Sequence, residues 1–286
     1  MILAPILSRE TLLGWHAKQV GRTERAFQDK LQTFFTKQVK SIVAELRKLA
    51  PKKNAELQAA GLLDVVFQPQ QWDRELIEVA ARGVGGLLWE GAVAELLAHD
   101  IAFKALQHRT RFKRTQAEEF VERYELQIPA GVDLEAPAWF VDAAQAELDE
   151  IFAQPFWLKI NQTTRDDILR TMKVAVEDGL SIRQISNRIL ERHGASYTRA
   201  RANNVARTES AGALNSGHQI GLKRIEDDLG FEVGKEWVSA LSSTTREAHA
   251  NLDGETVAGA DGLFDLNGVL IPYPAHYSLP ARDRCQ

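Results

Sequence analysis

The chain has 286 residues, 44% of them apolar, a formal net charge of −4 and a single cysteine. This length allows one large domain or two smaller ones, each with a true hydrophobic core. The mildly acidic balance excludes a protein whose whole surface coats nucleic acid, though it permits a local basic face. One cysteine excludes an intrachain disulfide.

Met1 to Leu7 is apolar, but it is shorter than a signal peptide and has no basic lead. No apolar run approaches the roughly 20 residues that span a bilayer. Gly83 to Ala98 comes nearest, and Glu90 and Glu95 interrupt it. The expectation is a protein made in the cytosol with no membrane partner.

Ser8 is a suitable N-cap, with Glu10 in the first turn. From there to Leu49 the chain lacks proline, and Leu31, Phe34, Phe35, Val39, Ile42, Val43 and Leu46 recur at helical spacing. This predicts one long amphipathic helix, with Gly21 its candidate bend and Pro51 its stop. Asn54 to Gln70 reads as a connector with short helical potential, closed by Pro69. A second helical region follows from Trp72 to Gln107, with Gly83, Gly85, Gly86 and Gly91 inside it. Glycine costs about 1 kcal/mol per position in a helix interior, so the expected return is close helix packing or a kink. A phosphate-binding loop is disfavoured, because no strand precedes these glycines and no Gly-Lys-Ser/Thr follows. His108 to Arg114 is a basic run, read as a solvated face.

Pro129, Gly131 and Pro137 mark the best candidate domain boundary, and Pro137 to Phe152 reads as a further helix. Thr164 with Asp167 suggests a capping box, and Ile168, Met172, Ala175 and Val176 form an apolar stripe running up to Gly179. Ser181 with Gln184 is a second capping box. The helix it opens should bury Ile182, Ile185, Ile189 and Leu190 and stop at Gly194. A third helix covers Tyr197 to Gly217, with possible extension to Asp228. Phe231, Val233 and Trp237 alternate with Glu232 and Glu236, the period of a strand. Thr244 and Glu247 would cap a short helix ending at Gly254, and Pro272, Pro274 and Pro280 keep the remainder to short β or loop. The predicted fold is mainly α, with long N-terminal helices followed by a small C-terminal α+β domain. The organisation reads as a helical, partner-docking region over 1–130, a helical segment over 131–230 and the mixed end over 231–286.

Four constellations could carry chemistry. Arg246, His249 and Asp253, at i, i+3 and i+7, would share a helix face able to orient a histidine base or hold a phosphate. The plainer alternative is that they knit the helix to nearby backbone. Arg207 and Glu209 lie in a helix otherwise built of Ala, Gly and Leu; a structural ion pair is favoured over a catalytic glutamate, because no nucleophile with a base lies nearby. His249, His276 and Cys285, with Asp253 or Asp265, are chemically suited to zinc, but their spacing matches no standard finger, and the expectation is no metal and no cofactor. Finally Arg183, Arg188, Arg192, Arg199 and Arg201 cluster with Arg207 in two successive helices. They resemble a helix-turn-helix, although the turn of Glu191 to Ser196 would be long and the second helix is alanine-rich. Sequence-blind phosphate contact is the better reading of that cluster.

The order of motifs from Thr163 onward resembles the head-morphogenesis family of tailed phages named after the F protein of phage Mu. The motifs are a helical pair around Gly179-Leu180-Ser181, then Ala206-Arg207-Thr208-Glu209, Asn215 with Gly217, and Trp237. Arg246, His249 and Asp253-Gly254 follow, then an aromatic loop near Phe264, Pro272 and Cys285. The resemblance covers roughly Thr163 to Cys285, under half the chain. It implies a low-copy virion protein of the head near the portal vertex, present in the host cytoplasm during assembly. Its partners would be the portal or major capsid protein, with several copies per portal and sequence-independent contact with packaged DNA. It implies roles in head morphogenesis and in DNA packaging or ejection. The N-terminal helices, outside the resemblance, would dock on the portal or on neighbouring copies through their apolar stripes. The family's Asp-Pro reads Tyr273-Pro274 here. Its second cysteine would fall two residues beyond Cys285, which makes continuation past Gln286 an expectation. The alternatives are a nuclease-like hydrolase centred on Arg246, His249 and Asp253 with Glu209 assisting, and a helix-turn-helix DNA-binding protein.

Overall fold

The computed structural model describes residues 9–49, 59–98, 138–230, 232–239, 241–243 and 245–279. The basic run at 108–114, the Pro129–Pro137 boundary, Phe231, Thr244, Pro280 and Cys285 lie outside these residues. Among the described residues seven helices precede the first strand: α1 Arg9–Leu49, α2 Ala59–Val66, α3 Pro69–Ala98, α4 Ala138–Ala153, α5 Pro155–Glu177, α6 Ile182–His193 and α7 Ala195–Leu229. Then come β1 Gly234–Glu236, the short helix α8 Glu247–Asn251, β2 Thr256–Ala258, β3 Phe264–Leu266 and β4 Val269–Ile271. Long helices followed by a small part with short antiparallel strands is the architecture the residue pattern predicts.

Two compact units share the chain, each drawn from separate stretches. One takes Met1–Glu24, Arg82–Ile151 and Arg207–Gln286; the other takes Arg25–Ala81 and Phe152–Ala206.

The second of these is built on the apolar stripe of α1. Phe27, Leu31, Phe34, Phe35, Val39, Ile42, Val43 and Leu46 are all buried. Phe34 meets Trp72 of α3 edge to face, ring centroids 6.0 Å apart, a geometry favoured by the ring quadrupoles. Leu63 and Val66 of α2, Trp157, Ile160, Ile168 and Met172 of α5, and Ile185 and Ile189 of α6 complete the core. One polar thread crosses it. Gln38 Nε2 donates to Asn161 Oδ1 at 3.0 Å, and Asn161 Nδ2 donates to Asp73 Oδ1 at 2.8 Å. Such a chain of amides fixes how α1, α3 and α5 are registered, because any slip strands a buried polar group.

Local expectations meet mixed results here. Ser181 and Gln184 do form the reciprocal capping box, and Gly194 does cap α6. Pro69, expected to close a connector, instead opens α3 as its first residue, where its missing N–H costs nothing and its fixed φ suits a helix. Thr164 caps nothing. Gln154 is the N-cap and Pro155 the start of α5, so Thr164 sits mid-helix with its hydroxyl donating to Ile160 O at 3.2 Å. Ile168, Met172 and Ala175 are buried, but Val176 is 40% exposed because it falls to the side of the stripe. A single residue, Gly194, separates α6 from α7, in place of the expected turn over 191–196.

In the other unit, α3 and α7 approach so closely that their backbones touch. A Cβ added to Gly217 would lie 2.1 Å from Leu88 O, and one added to Gly91 would lie 2.2 Å from Leu214 O. Only hydrogen fits, which is how a glycine in a helix interior repays its cost. Trp89 packs on Phe140 of α4 at 4.8 Å. The β elements form two ribbons. β1 pairs antiparallel with β2, Lys235 opposite Val257, and β3 pairs antiparallel with β4, Asp265 opposite Leu270. The second ribbon turns at Asn267 and Gly268, with φ of 55° and 84°. Positive φ at both turn residues is what a tight hairpin needs and what Asn-Gly supplies. Trp237, Leu252, Phe264, Leu266, Ile271 and Leu279 form the core between the ribbons.

Candidate interaction site

The residues that carried the sequence motifs do three kinds of work, beginning with α7. Arg207 is exposed, not part of a buried pair, while Thr208, Glu209 and Ser210 are buried. Asn215 Nδ2 donates to Pro274 O at 2.9 Å. Gly212 leaves room for Ala275 O, 3.0 Å from where its Cβ would be. The 273–277 segment is held from α4 as well. Tyr273 donates its hydroxyl to Glu147 at 2.8 Å, Tyr277 donates to Glu150, and the His276 ring lies between the two tyrosines, 4.9 and 4.0 Å from their centroids. Burial and the neighbouring Glu147 carboxylate push the Tyr273 hydroxyl well above the usual phenol range, so it donates and does not ionise. The alanine, glycine and serine content of α7 therefore serves close contact with α3 on one side and with this segment on another.

A polar knot sits where α7 meets the ribbons. Lys235 Nζ donates to Ala260 O and Gly262 O at 2.7 Å each, to Pro272 O at 2.9 Å and to Gln219 Oε1 at 3.1 Å. Phe264 lies 5.8 Å from the same nitrogen, a weak cation–π contact at that distance. An ammonium has three protons, so one is shared between two of the four acceptors. Burial pulls the pKa of this amine below the ordinary lysine range, and Asp261 and Glu226 pull it back. Glu226 Oε1 accepts from Val233 N at 2.9 Å and Ala260 N at 2.8 Å. Three short loops are thus tied to one cation and one carboxylate on a rigid helix. The alternation of apolar residues hid this. Phe231, Val233 and Trp237 define one parity, and Lys235 shares it. A lysine on the apolar face of a strand is the signal that marks such a knot in advance.

Trp237 and the residues after it close the third group. Trp237 is buried against Phe264 and His249, with centroids at 5.3 and 5.7 Å. Its Nε1 donates to Ser239 Oγ at 3.1 Å, and Ser239 Oγ donates to His249 O at 2.6 Å. Asp253 Oδ1 accepts from Ser239 N at 2.7 Å. Gly254, with φ of 79°, donates its N–H to Trp237 O at 2.8 Å. Arg246, His249 and Asp253 do not line one open face. Arg246 is the exposed N-cap of α8, His249 is buried within the helix, and Asp253 lies beyond its end. Asp265 Oδ1 accepts from Gly268 N in the hairpin turn, and His276 Nδ1 pairs with Ser278 Oγ. Among the described residues no group of three or more His, Cys, Asp or Glu side chains could hold a metal ion, and no helix is long and apolar enough to cross a membrane.

The arginine cluster separates into two classes. Arg188 pairs with Asp178 at 2.5 Å. Arg201 donates to Ile160 O and lies over the Phe35 ring at 5.3 Å. Arg183, Arg192 and Arg199 are exposed. Beside Arg192, His193 is buried, its Nε2 2.8 Å from Thr171 Oγ1 and its Nδ1 without a partner. Burial holds its pKa below the usual histidine value, with Asp167 opposing and Arg192 and Arg170 adding to the fall.

In the unit containing α5, a cleft of about 350 Å³ is lined by Phe156, Lys159, Ile160 and Thr163 of α5 and by Tyr197, Ala200, Arg201, Asn204 and Val205 of α7. Burial and the hydrogen bond to Asp167 push the Tyr197 hydroxyl up to about 12.

The chain has no match among curated proteins and none among solved structures. Residues 166–275 match the family model described as Phage Mu protein F like protein. That segment runs from α5 to the Tyr273 latch and contains the Lys235 knot and the Trp237 core. Over it, this chain is similar to the phage head-morphogenesis proteins that the motif order suggested.

Proposed function

We propose that the protein is a minor structural protein of a tailed-phage head, acting at the portal or inner capsid during head morphogenesis. One observation carries this beyond the family match. Polar residues of the matched segment are spent on the segment itself: Asn215 on Pro274, Lys235 on three carbonyls, and Asp253 on Ser239. This is the chemistry of a rigid adhesive module, and a hydrolase would instead need a base, a nucleophile and an oxyanion site converging on open space. His249 is buried and Arg246 exposed, so the rival nuclease centre lacks that convergence.

Contact with DNA falls to Arg183, Arg192 and Arg199, since the fold occupies Arg188 and Arg201. It is sequence-blind, because charge without a groove-reading helix gives affinity without base readout. The apolar stripe of α1 is consumed by its own unit, so portal or capsid docking uses exposed surface and not that stripe. Several copies assemble around the portal, and the protein assists packaging or ejection of the genome.

The test is a phage deleted for this gene and complemented with variants. Loss of complete, DNA-filled heads is expected; particles that assemble, package and infect at normal levels refute the reading. Mass spectrometry of virions before and after genome release establishes whether the protein stays in the particle or leaves with the DNA.

A further inference from the structure

The cleft between α5 and α7 has a regular construction. On α5 its lining residues are Phe156, Lys159, Ile160 and Thr163, spaced i, i+3, i+4 and i+7; on α7 they are Tyr197, Ala200, Arg201, Asn204 and Val205, spaced i, i+3, i+4, i+7 and i+8. Each set is one stripe of a helix. Two stripes facing one slot form a groove of the kind on which an amphipathic helix can be laid.

The floor is apolar, from Ile160 and Val205, both buried, with half-buried Phe156 at one end. Ala200, exposed and small, leaves the middle of the slot open. The charge is one-sided. Lys159 and Arg201 line the cleft and no carboxylate does, in a chain whose net charge is −4. Tyr197 of the lining donates to one acid, Asp167, at 2.6 Å, and that carboxylate is itself paired with Arg170. A phosphate is a poor fit. One Arg201 NH2 already serves Ile160 O and the guanidinium lies over Phe35, so the donors do not converge on one point as anion sites require. Space of this size matches the lower end of pockets that bury a ligand or anchoring side chains, about 300–1,000 Å³.

We propose that this groove binds an acidic amphipathic helix of a partner protein, about two turns long. Its apolar i, i+3 or i+4 side chains enter the slot over Ile160, Ala200 and Val205. Its flanking carboxylates pair with Lys159, while the Arg201 guanidinium, held on Ile160 O and over Phe35, adds only its positive charge to that wall. This does not rest on the head-morphogenesis reading; it requires only the two stripes and their charge.

The experiment uses the full chain and a labelled synthetic peptide of about 15 residues, long enough to be marginally helical, with Leu on one face and Glu elsewhere. A twin peptide carries Lys in place of Glu. The acidic peptide binds saturably and the twin does not. Lys159→Glu weakens binding about tenfold and makes it less salt-sensitive, while Lys40→Glu, an equal charge change at an exposed site on α1, leaves it unchanged. Ala200→Trp, which fills the slot from an exposed position, abolishes binding while the far-UV CD spectrum and thermal midpoint stay those of the parent. The proposal is overturned by no saturable binding at about 1 mM, the weak limit of specific association. It is also overturned by equal binding of the two peptides, by insensitivity to Ala200→Trp, or by a short single-stranded DNA displacing the peptide, which would make phosphate the groove's true occupant.

Discussion

Lys235→Met is the sharpest test of how the matched segment holds together. Methionine keeps an unbranched stem of similar length, so the perturbation is the loss of the ammonium. Four acceptors lose their donor: Ala260 O, Gly262 O, Pro272 O and Gln219 Oε1. A hydrogen bond from a charged donor contributes about 1.5–3 kcal/mol net, and a buried acceptor left without a partner costs about 1–3 kcal/mol. Straight addition over four bonds would exceed the stability of many domains, which is about 5–15 kcal/mol. Lys235 is only half-buried, however, so water can reach part of the knot and replace some bonds. A loss of roughly 3–5 kcal/mol is the expected outcome after that discount. Urea unfolding followed by far-UV CD measures it, and amide exchange localises it. The amides of Val233 and Ala260, bonded to Glu226 beside the knot, should exchange faster, while those in the middle of α5 should not. A destabilisation below about 1 kcal/mol, or exchange that rises equally everywhere, would refute the idea that one lysine organises these loops.

Three further perturbations follow from other parts of the molecule. Gly217→Ala drives a methyl into Leu88 O and should cost about 1–3 kcal/mol or more by forcing α3 and α7 apart; Gly179→Ala, with φ of 70° but open space around it, should cost only about 1 kcal/mol of backbone strain, and thermal midpoints rank the two. Glu90 is buried in α3, and burial raises its pKa from 4.5 to about 7. The folded state therefore holds a proton that the unfolded state has released. The stability this group contributes is full below pH 4.5 and is lost as pH rises through 7. Glu90→Gln, which mimics the protonated form, should then stabilise the protein at pH 8 by up to roughly 3 kcal/mol and change little at pH 4; an equal effect at both pH values would contradict this. Replacing Arg183, Arg192 and Arg199 together by Ala should lower the slope of log K against log salt for duplex DNA by about 3, one unit per lost phosphate contact, and electrophoretic shifts across a salt series read it directly.

Much of this fold was legible because helices announce themselves by period. The α1 stripe from Leu31 to Leu46, the Ser181–Gln184 box and the Gly194 stop are local patterns, and local patterns survive in a folded chain when nothing larger competes with them. Thr164 shows what happens when something does. Its capping signal was sound, but Pro155 nine residues earlier opens a helix more effectively, and the threonine turned its hydroxyl back on Ile160 O. Interleaving of the two units was not legible at all. The core of one depends on α1 meeting α5, more than a hundred residues away, and periodicity carries no information about which stripe meets which. The site divided the same way. Asn215 and Trp237 were visible through the motif order that resembles the head-morphogenesis family. Lys235 was not, because a charged residue in a short strand is ordinarily assigned to the solvent face, and the parity that places it inward depends on only three apolar neighbours.

The surroundings of Lys235 also bear on whether this segment is an enzyme. A catalytic lysine with a lowered pKa needs a lone pair directed at a substrate. Lys235 is desolvated, but four oxygens surround its nitrogen and every one belongs to the protein. They fix the amine in its protonated form, since a neutral amine offers only two N–H donors and sets a lone pair against the remaining oxygens. The test separates structure from chemistry. If Lys235 is a strut, Lys235→Met lowers stability, and incubation of either protein with DNA, RNA or nucleotide, with and without divalent metal, gives no turnover. If it is a nucleophile, an amine-reactive probe such as pyridoxal phosphate followed by borohydride should label Lys235 faster than the exposed Lys40 at pH 8. The four acceptors on its nitrogen predict the opposite order, with Lys235 among the slowest lysines to react in the folded chain. Preferential labelling of Lys235 would show that the knot opens at little cost, and the adhesive reading of the matched segment would fail with it.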